Sequence, residues 1–181
     1  MMIPMRTLPQ LLQARADETP GRLSQRHKYR GIWREYNFER VRDEVRALAL
    51  GLSELGVRRV ETVAIIGENE PEHFWAEFAA QALGCKVVSL YPDLTADEVS
   101  YLLDDSEAVV LFAQDQEQVD KGLAIREQLP SLRAIVFWDD TGMWSYSDDR
   151  LHKLKAIQEL GRALHFREPG RYREFVEEGA P

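Results

Sequence analysis

Four short apolar runs alternate with segments of helical pattern between residues 62 and 138, and this alternation constrains the fold more than any other feature. The runs are "TVAII" (62–66), "KVVSLY" (86–91), "AVVLFA" (108–113) and "LRAIVFW" (132–138). Connections of this length carry a helix from one strand to the next, so the strands run parallel. The sequence therefore predicts an α/β fold whose mostly parallel sheet has helices on both faces.

Helix boundaries are marked between these strands. Pro71 suits the first position of a helix, where its missing N–H costs nothing. Thr95 and Glu98 have the spacing of a capping box. A third helix is predicted over residues 115–130, where Pro130 stops it.

The flanking segments complete the prediction. A helix over 7–17, a small β-hairpin over 23–38 and a helix over 39–56 precede the strands. A turn-rich loop over 139–149, a helix over 150–165 and a short helix within 170–181 follow them, with no further strand. We interpret residues 1–181 as one N-terminal subdomain in three parts: 7–60 (helix, hairpin and helix), 61–140 (α/β core) and 141–181 (loop and helical tail).

Composition limits the partners and the compartment. The net charge of −8 argues against nucleic acid or an anionic membrane as the main partner, since both favour a basic surface. A local basic cluster on the hairpin is interpreted as a solvated, charged surface. Its members are Arg22, Arg26, Lys28, Arg30 and Arg34. The single cysteine, Cys85, excludes an intrachain disulfide, and no apolar run has the length of a membrane span. The expected location is cytoplasmic, or peripheral to a membrane.

The turn after the first apolar run, Gly67 to Glu72, is the natural place to look for a phosphate site. A phosphate cradle needs several glycines and no competing negative charge. This turn has one glycine and three carboxylates, which suit the positive end of a helix dipole. An acid-capped helix start is therefore the prediction.

No other pattern predicts an active site. The four histidines lack metal-ligand spacing and are interpreted as surface or half-buried structural residues: His27, His73, His152 and His165. Cys85 has no local cationic partner and is expected to be a small buried apolar residue. No metal or catalytic residue is assigned.

An ordered set of short motifs resembles the N-terminal part of the AMP-forming, long-chain fatty acyl-CoA synthetases, in the adenylate-forming superfamily that also holds firefly luciferase. The motifs are "LSELGV" (52–57), "VAII" (63–66), "ENEPEHFW" (68–75), "LGCKVVSLYP" (83–92), "DEVSYLLDDSEA" (97–108), "DQEQVDK" (115–121) and "LPSLRAIV" (129–136). The family's "Y-T-S-G-T-T-G-x-P-K" adenylation loop does not occur in this sequence. The chain is thus expected to be the front part of such a synthetase and inactive alone.

The resemblance implies a ligase that uses ATP, Mg²⁺ and CoA to convert a fatty acid into its CoA thioester. It places Tyr91, Pro92 and Asp93 on the CoA side, although an ordinary turn restricted by Pro92 is an open alternative. ATP, Mg²⁺ and CoA are not expected to bind this chain tightly. The expected partner is the remainder of the synthetase, and uncovered apolar surface is expected to favour self-association.

Two other interpretations stay open. One is a free-standing, non-catalytic α/β module that binds or regulates a partner. The other is a different adenylating enzyme, such as one that activates an aryl or amino acid; "DQEQVDK" disfavours it only modestly.

Overall fold

The computed structural model describes residues 6–179 and confirms the predicted α/β fold. Residues 1–5 and 180–181, the ends of the predicted subdomain, lie outside this range. The α-helices are α1 (Leu8–Glu18), α2 (Phe38–Glu54), α3 (Pro71–Ala82), α4 (Ala96–Asp105), α5 (Gln116–Ile125), α6 (Leu154–Arg167) and α7 (Arg171–Glu177). The strands are β1 (Leu23–Tyr29), β2 (Ile32–Asn37), β3 (Thr62–Ile66), β4 (Lys86–Leu90), β5 (Ala108–Ala113), β6 (Ala134–Phe137) and β7 (Leu151–Lys153).

Five strands form a parallel sheet in the order β4-β3-β5-β6-β7, and β1 and β2 form a separate antiparallel hairpin. Every residue of β3, β5 and β6 is buried, which explains why their sequences are apolar apart from Thr62. Alternate side chains enter two cores. Val63 and Ile65 pack with α1, α2, α3, α6 and α7, whereas Ala64 and Ile66 pack with α4 and α5.

The strand β7 corrects the prediction for the C-terminal segment. The predicted helix over 150–165 begins only at Leu154, because Leu151–Lys153 pair in parallel with β6. A strand of three residues is too short to show an alternating pattern, and Leu154 and Ile157 continue into the apolar face of α6. The predicted helix over 115–130 is also shorter. It ends at Ile125 and continues as one 3₁₀ turn.

A tight turn and one aromatic contact fix the hairpin. Arg30 and Gly31 both have positive φ (48° and 82°), as a two-residue type I′ connection requires. Tyr36 packs edge-on against Trp75 of α3, with ring centroids 5.5 Å apart. The indole N–H of Trp75 donates to Gln25, at 2.9 Å. These contacts anchor one face of the hairpin to α3 and leave the other face to solvent. No helix among residues 6–179 has both the length and the apolar character needed to cross a membrane.

Candidate functional site

The carboxyl ends of the five parallel strands meet at one edge of the sheet. In open α/β sheets ligands bind outside this edge, at the point where the strand order reverses. The chain passes from β3 to β4 on one side and then returns to β5 on the other side of β3. The reversal therefore lies between β3 and β5, directly beneath Gly67 and Gln114.

The crevice at this reversal point is filled by the protein's own side chains. Gln114 Oε1 accepts a hydrogen bond from the backbone N–H of Glu68, at 2.6 Å. A Cβ atom on Gly67 would lie 2.7 Å from Gln114 Cβ and 2.9 Å from the Trp138 ring. The Trp138 indole N–H donates to Glu70, at 2.9 Å. These side chains leave no space for a phosphate group between β3 and β5. The acids predicted at the start of α3 are in place, but the Glu70 side chain does not cap the helix.

The carboxylates at the start of α3 make this place electrostatically unsuited to anions. Glu70 is the N-cap residue, and its side chain makes no cap hydrogen bond because it accepts from Trp138 instead. Glu72 lies in the first turn, and burial raises the pKa of its carboxyl. The Glu70 carboxylate therefore occupies the helix N-terminus, where an anion would otherwise be favoured.

A cleft of about 470 Å³ opens beside the crevice, between α3 and the end of β4. Tyr91 and Pro92, two of the three residues implied by the resemblance, line this cleft. The third, Asp93, is exposed and is not among the residues that line it. The ammonium group of Lys121 donates to the carbonyl of Pro92, at 2.6 Å, and so holds the turn in place. Tyr91 is 80% exposed, so its ring is available to a ligand.

His73 is the cleft residue whose position the sequence did not reveal. It is only 6% exposed, its Nε2 lies 3.4 Å from Ser89 Oγ, and its Nδ1 has no hydrogen-bond partner. Burial lowers the pKa of His73, although nearby Glu77 opposes this effect. The imidazole is therefore neutral at pH 7. The only sequence signal for the burial of His73 is its position two residues after Pro71. This position lies in the first turn of α3, from which the ring faces the end of β4.

Comparison with known proteins identifies the family of this chain. A family model described as "AMP-binding enzyme" matches residues 12–164. The chain belongs to this family. The matched residues include both the hairpin and the parallel sheet, and the match ends within α6.

Two curated relatives are long-chain-fatty-acid–CoA ligases. ACSBG2 of Xenopus laevis is 28% identical over 162 residues, which is 90% of this chain and 22% of that protein. Heimdall of Drosophila melanogaster is 36% identical over 104 residues, which is 58% of this chain and 15% of that protein. The chain therefore spans about a fifth or less of the length of these relatives.

A solved structure confirms the fold of this AMP-binding family chain. The anthranilate CoA ligase AuaEII, in complex with anthranoyl-AMP, superposes with a TM-score of 0.70 at 23% identity. The match covers 87% of this chain and 29% of that chain. At this sequence identity, the similarity shows the fold alone.

The remaining candidate groups are the possible metal ligands and Cys85. Within residues 6–179, no three His, Cys, Asp or Glu side chains are placed to hold a metal ion. Cys85 is buried, as expected, and its Sγ lies 3.3 Å from the carbonyl oxygen of Arg58. Burial raises the pKa of the Cys85 thiol to about 12, and Glu61 adds to this effect.

Cys85 is expected to react with Ellman's reagent at least about 100-fold more slowly in the native chain than in guanidinium chloride at pH 8. The reason is that only the thiolate reacts, and the raised pKa leaves almost none of it at this pH. The native rate should rise about tenfold per pH unit between pH 8 and pH 10. Absorbance at 412 nm measures both rates. Equal rates in the two solvents would contradict the buried, protonated thiol.

Proposed function

We propose that this chain is the front part of an AMP-forming, long-chain fatty acyl-CoA ligase. In this reaction a fatty acid carboxylate attacks the α-phosphate of ATP, with Mg²⁺ present, and releases pyrophosphate. The CoA thiol then attacks the acyl adenylate and displaces AMP, which leaves the acyl thioester. The observation that carries the proposal is the similarity to long-chain-fatty-acid–CoA ligases, which extends over 90% of this chain for the Xenopus protein.

Within such a ligase this chain would serve as scaffold. The crevice at the strand reversal point is closed by Gln114 and Trp138, and the helix start beside it is acidic. Adenylation needs preorganised donors and positive charge around the phosphates. We therefore propose that this chain is inactive alone and binds ATP, Mg²⁺ and CoA weakly.

The cleft beside Tyr91, Pro92 and Asp93 is proposed to lie on the CoA side of the complete enzyme. The exposed Tyr91 ring offers contact to a flat group, and the buried, neutral imidazole of His73 lines the same cleft without adding charge. The carbonyl of Pro92 is held by Lys121, so the turn is fixed before any ligand arrives. The other interpretation is a turn whose only task is to connect β4 to α4.

One observation favours a second candidate, a free-standing and non-catalytic α/β module. Both faces of the sheet are covered by helices, and each face has its own buried core. A chain with two complete cores can fold and bind a partner without further domains. This candidate keeps the family's fold and lacks its reaction.

The purified chain is expected to show no turnover. Palmitate, ATP, Mg²⁺ and CoA should yield neither pyrophosphate nor acyl-CoA above the blank, because this chain does not fit the nucleotide. Titration calorimetry should give dissociation constants for ATP and CoA weaker than about 1 mM. A complete relative, such as the Xenopus ligase, is the positive control for the assay. Turnover by the chain alone would disprove the scaffold role.

Reading the gene beyond codon 181 separates the two candidates. A frame that continues into a Ser/Thr/Gly-rich "Y-T-S-G-T-T-G-x-P-K" segment supports the ligase. A stop codon directly after Pro181 supports the free-standing module. Size-exclusion chromatography tests the proposed self-association in parallel, since a monomer at every concentration would count against uncovered apolar surface.

A further inference from the structure

The β1–β2 hairpin carries a concentrated positive charge in an otherwise acidic chain. Residues 22–34 contain five of the 23 Lys and Arg and none of the 31 Asp and Glu. Arg26 is neutralised across the hairpin by Glu35, at 2.7 Å. Within the described part of the chain, no carboxylate lies within 4.0 Å of Lys28 or Arg30. Neither cation makes an ion pair within that part, so both can meet an anionic partner, although the Arg30 guanidinium also lies 5.2 Å from the centre of the Tyr29 ring.

Strand register divides the hairpin into two faces with different surroundings. Lys28 lies opposite Trp33 on the outer face, with Arg26 as its neighbour. The Arg26 guanidinium and the Lys28 ammonium lie 5.3 Å and 5.9 Å from the centre of the Trp33 ring. The inner face, which includes His27 and Tyr29, lines the groove against α3 and α6. The outer face is open to a partner, and so is the tip, where Ile32 on the Tyr29 side is 72% exposed.

The tip of the hairpin exposes one apolar side chain on each face, since Ile32 pairs with Tyr29 and Trp33 pairs with Lys28. Ile32 is 72% exposed and Trp33 is 57% exposed, next to the Arg30–Gly31 turn. A tryptophan beside lysine and arginine is the arrangement that settles at a bilayer surface, with the ring among the headgroups and the cations at anionic phosphates.

We propose that the outer face and tip of the hairpin bind the surface of a membrane that contains anionic lipids. We favour a membrane as the partner because cations without ion pairs occur together with the exposed side chains of Ile32 and Trp33. A nucleic acid would satisfy Lys28 and Arg30 but would gain nothing from an aliphatic Ile32. The net charge of −8 repels the rest of the chain from such a surface, so contact is restricted to the hairpin. The proposal does not depend on the ligase assignment.

Vesicle sedimentation tests this contact on the 181-residue chain. Vesicles of phosphatidylcholine alone are compared with vesicles in which about a third of the lipid is phosphatidylglycerol. Binding is expected only to the anionic vesicles, and it should be lost in about 0.5 M NaCl because salt screens the attraction. Neutralising Lys28→Gln with Arg30→Gln should weaken partitioning about 25-fold, or about fivefold per charge. Trp33→Ser should weaken it about tenfold.

Control variants with the same types of substitution outside the hairpin test whether any loss of binding is specific to the hairpin. Lys86→Gln with Lys155→Gln removes two exposed charges, and Trp144→Ser removes a ring that is 90% exposed. Both controls should bind anionic vesicles as the parent does, and circular dichroism should show that all variants are folded. No binding, equal binding to neutral vesicles, or equal losses in the controls would overturn the proposal. So would hairpin-dependent binding to a single-stranded oligonucleotide without vesicle binding.

Discussion

Gly161→Ala is expected to lower the free energy of unfolding by about 3 kcal/mol, because α2 and α6 touch at their backbones. A Cβ on Gly161 would meet the carbonyl group of Ala47 and lie 2.7 Å from the backbone N of Gly51. In the same contact, a Cβ on Gly51 would meet the carbonyl oxygen of Ile157. Alanine gains about 1 kcal/mol over glycine as a helix former. The clash outweighs this gain, since backbone atoms move only if the whole helix moves.

Gly122→Ala is the matched control for this prediction. Gly122 also lies inside a helix, but its added Cβ would meet the side-chain ends of Leu111 (3.0 Å) and Ile135 (3.1 Å). Such methyl groups can shift, so its stability should stay within about 1 kcal/mol of the parent. Urea unfolding followed by circular dichroism measures both variants. Equal stability of Gly161→Ala and Gly122→Ala would show that the two helices can separate without cost.

Alternation along the chain was sufficient to predict the sheet because its central strands are buried on both faces. β3 and β5 appear as apolar runs in the sequence since neither face meets water. β7 escaped prediction because three residues pair with β6 through backbone hydrogen bonds, which depend little on side-chain type. The glycine contact between α2 and α6 was equally hidden. Helical periodicity shows which face is apolar, and it does not show which residue meets the crossing helix.

The candidate site was harder to predict than the sheet, because it depends on residues far apart in sequence. Tyr91 and Pro92 were placed by resemblance, and the structure adds His73 to their cleft. The acids after Gly67 led to the prediction of a helix start without a phosphate cradle, and the structure places Glu70 at the N-cap of α3. What closes the crevice is Trp138, 71 positions further along the chain, and no local pattern connects the two residues.

Gly67→Ala is expected to lower the free energy of unfolding by about 3 kcal/mol, for two reasons. Gly67 has a φ of +154°, a conformation that favours glycine, so alanine is strained there whatever the space. Its Cβ would also lie 2.7 Å from Gln114 Cβ and 2.9 Å from the Trp138 ring, which cannot withdraw while its indole N–H donates to Glu70. Urea unfolding measures the loss. Gly21→Ala is the control, because Gly21 has no atom within 4 Å of an added Cβ.

A double-mutant cycle with Trp138→Leu separates the two reasons. Trp138→Leu alone loses packing and the hydrogen bond to Glu70, so it destabilises by itself. If the ring causes the clash, Gly67→Ala should cost at least about 1 kcal/mol less in the Trp138→Leu background. Gly21→Ala should cost the same in both backgrounds. Strict additivity at Gly67 would mean that backbone strain and the contact with Gln114 Cβ demand glycine without help from the Trp138 ring. The crevice at the strand reversal point would then not be closed by Trp138, and a ligand site between β3 and β5 would have to be reconsidered.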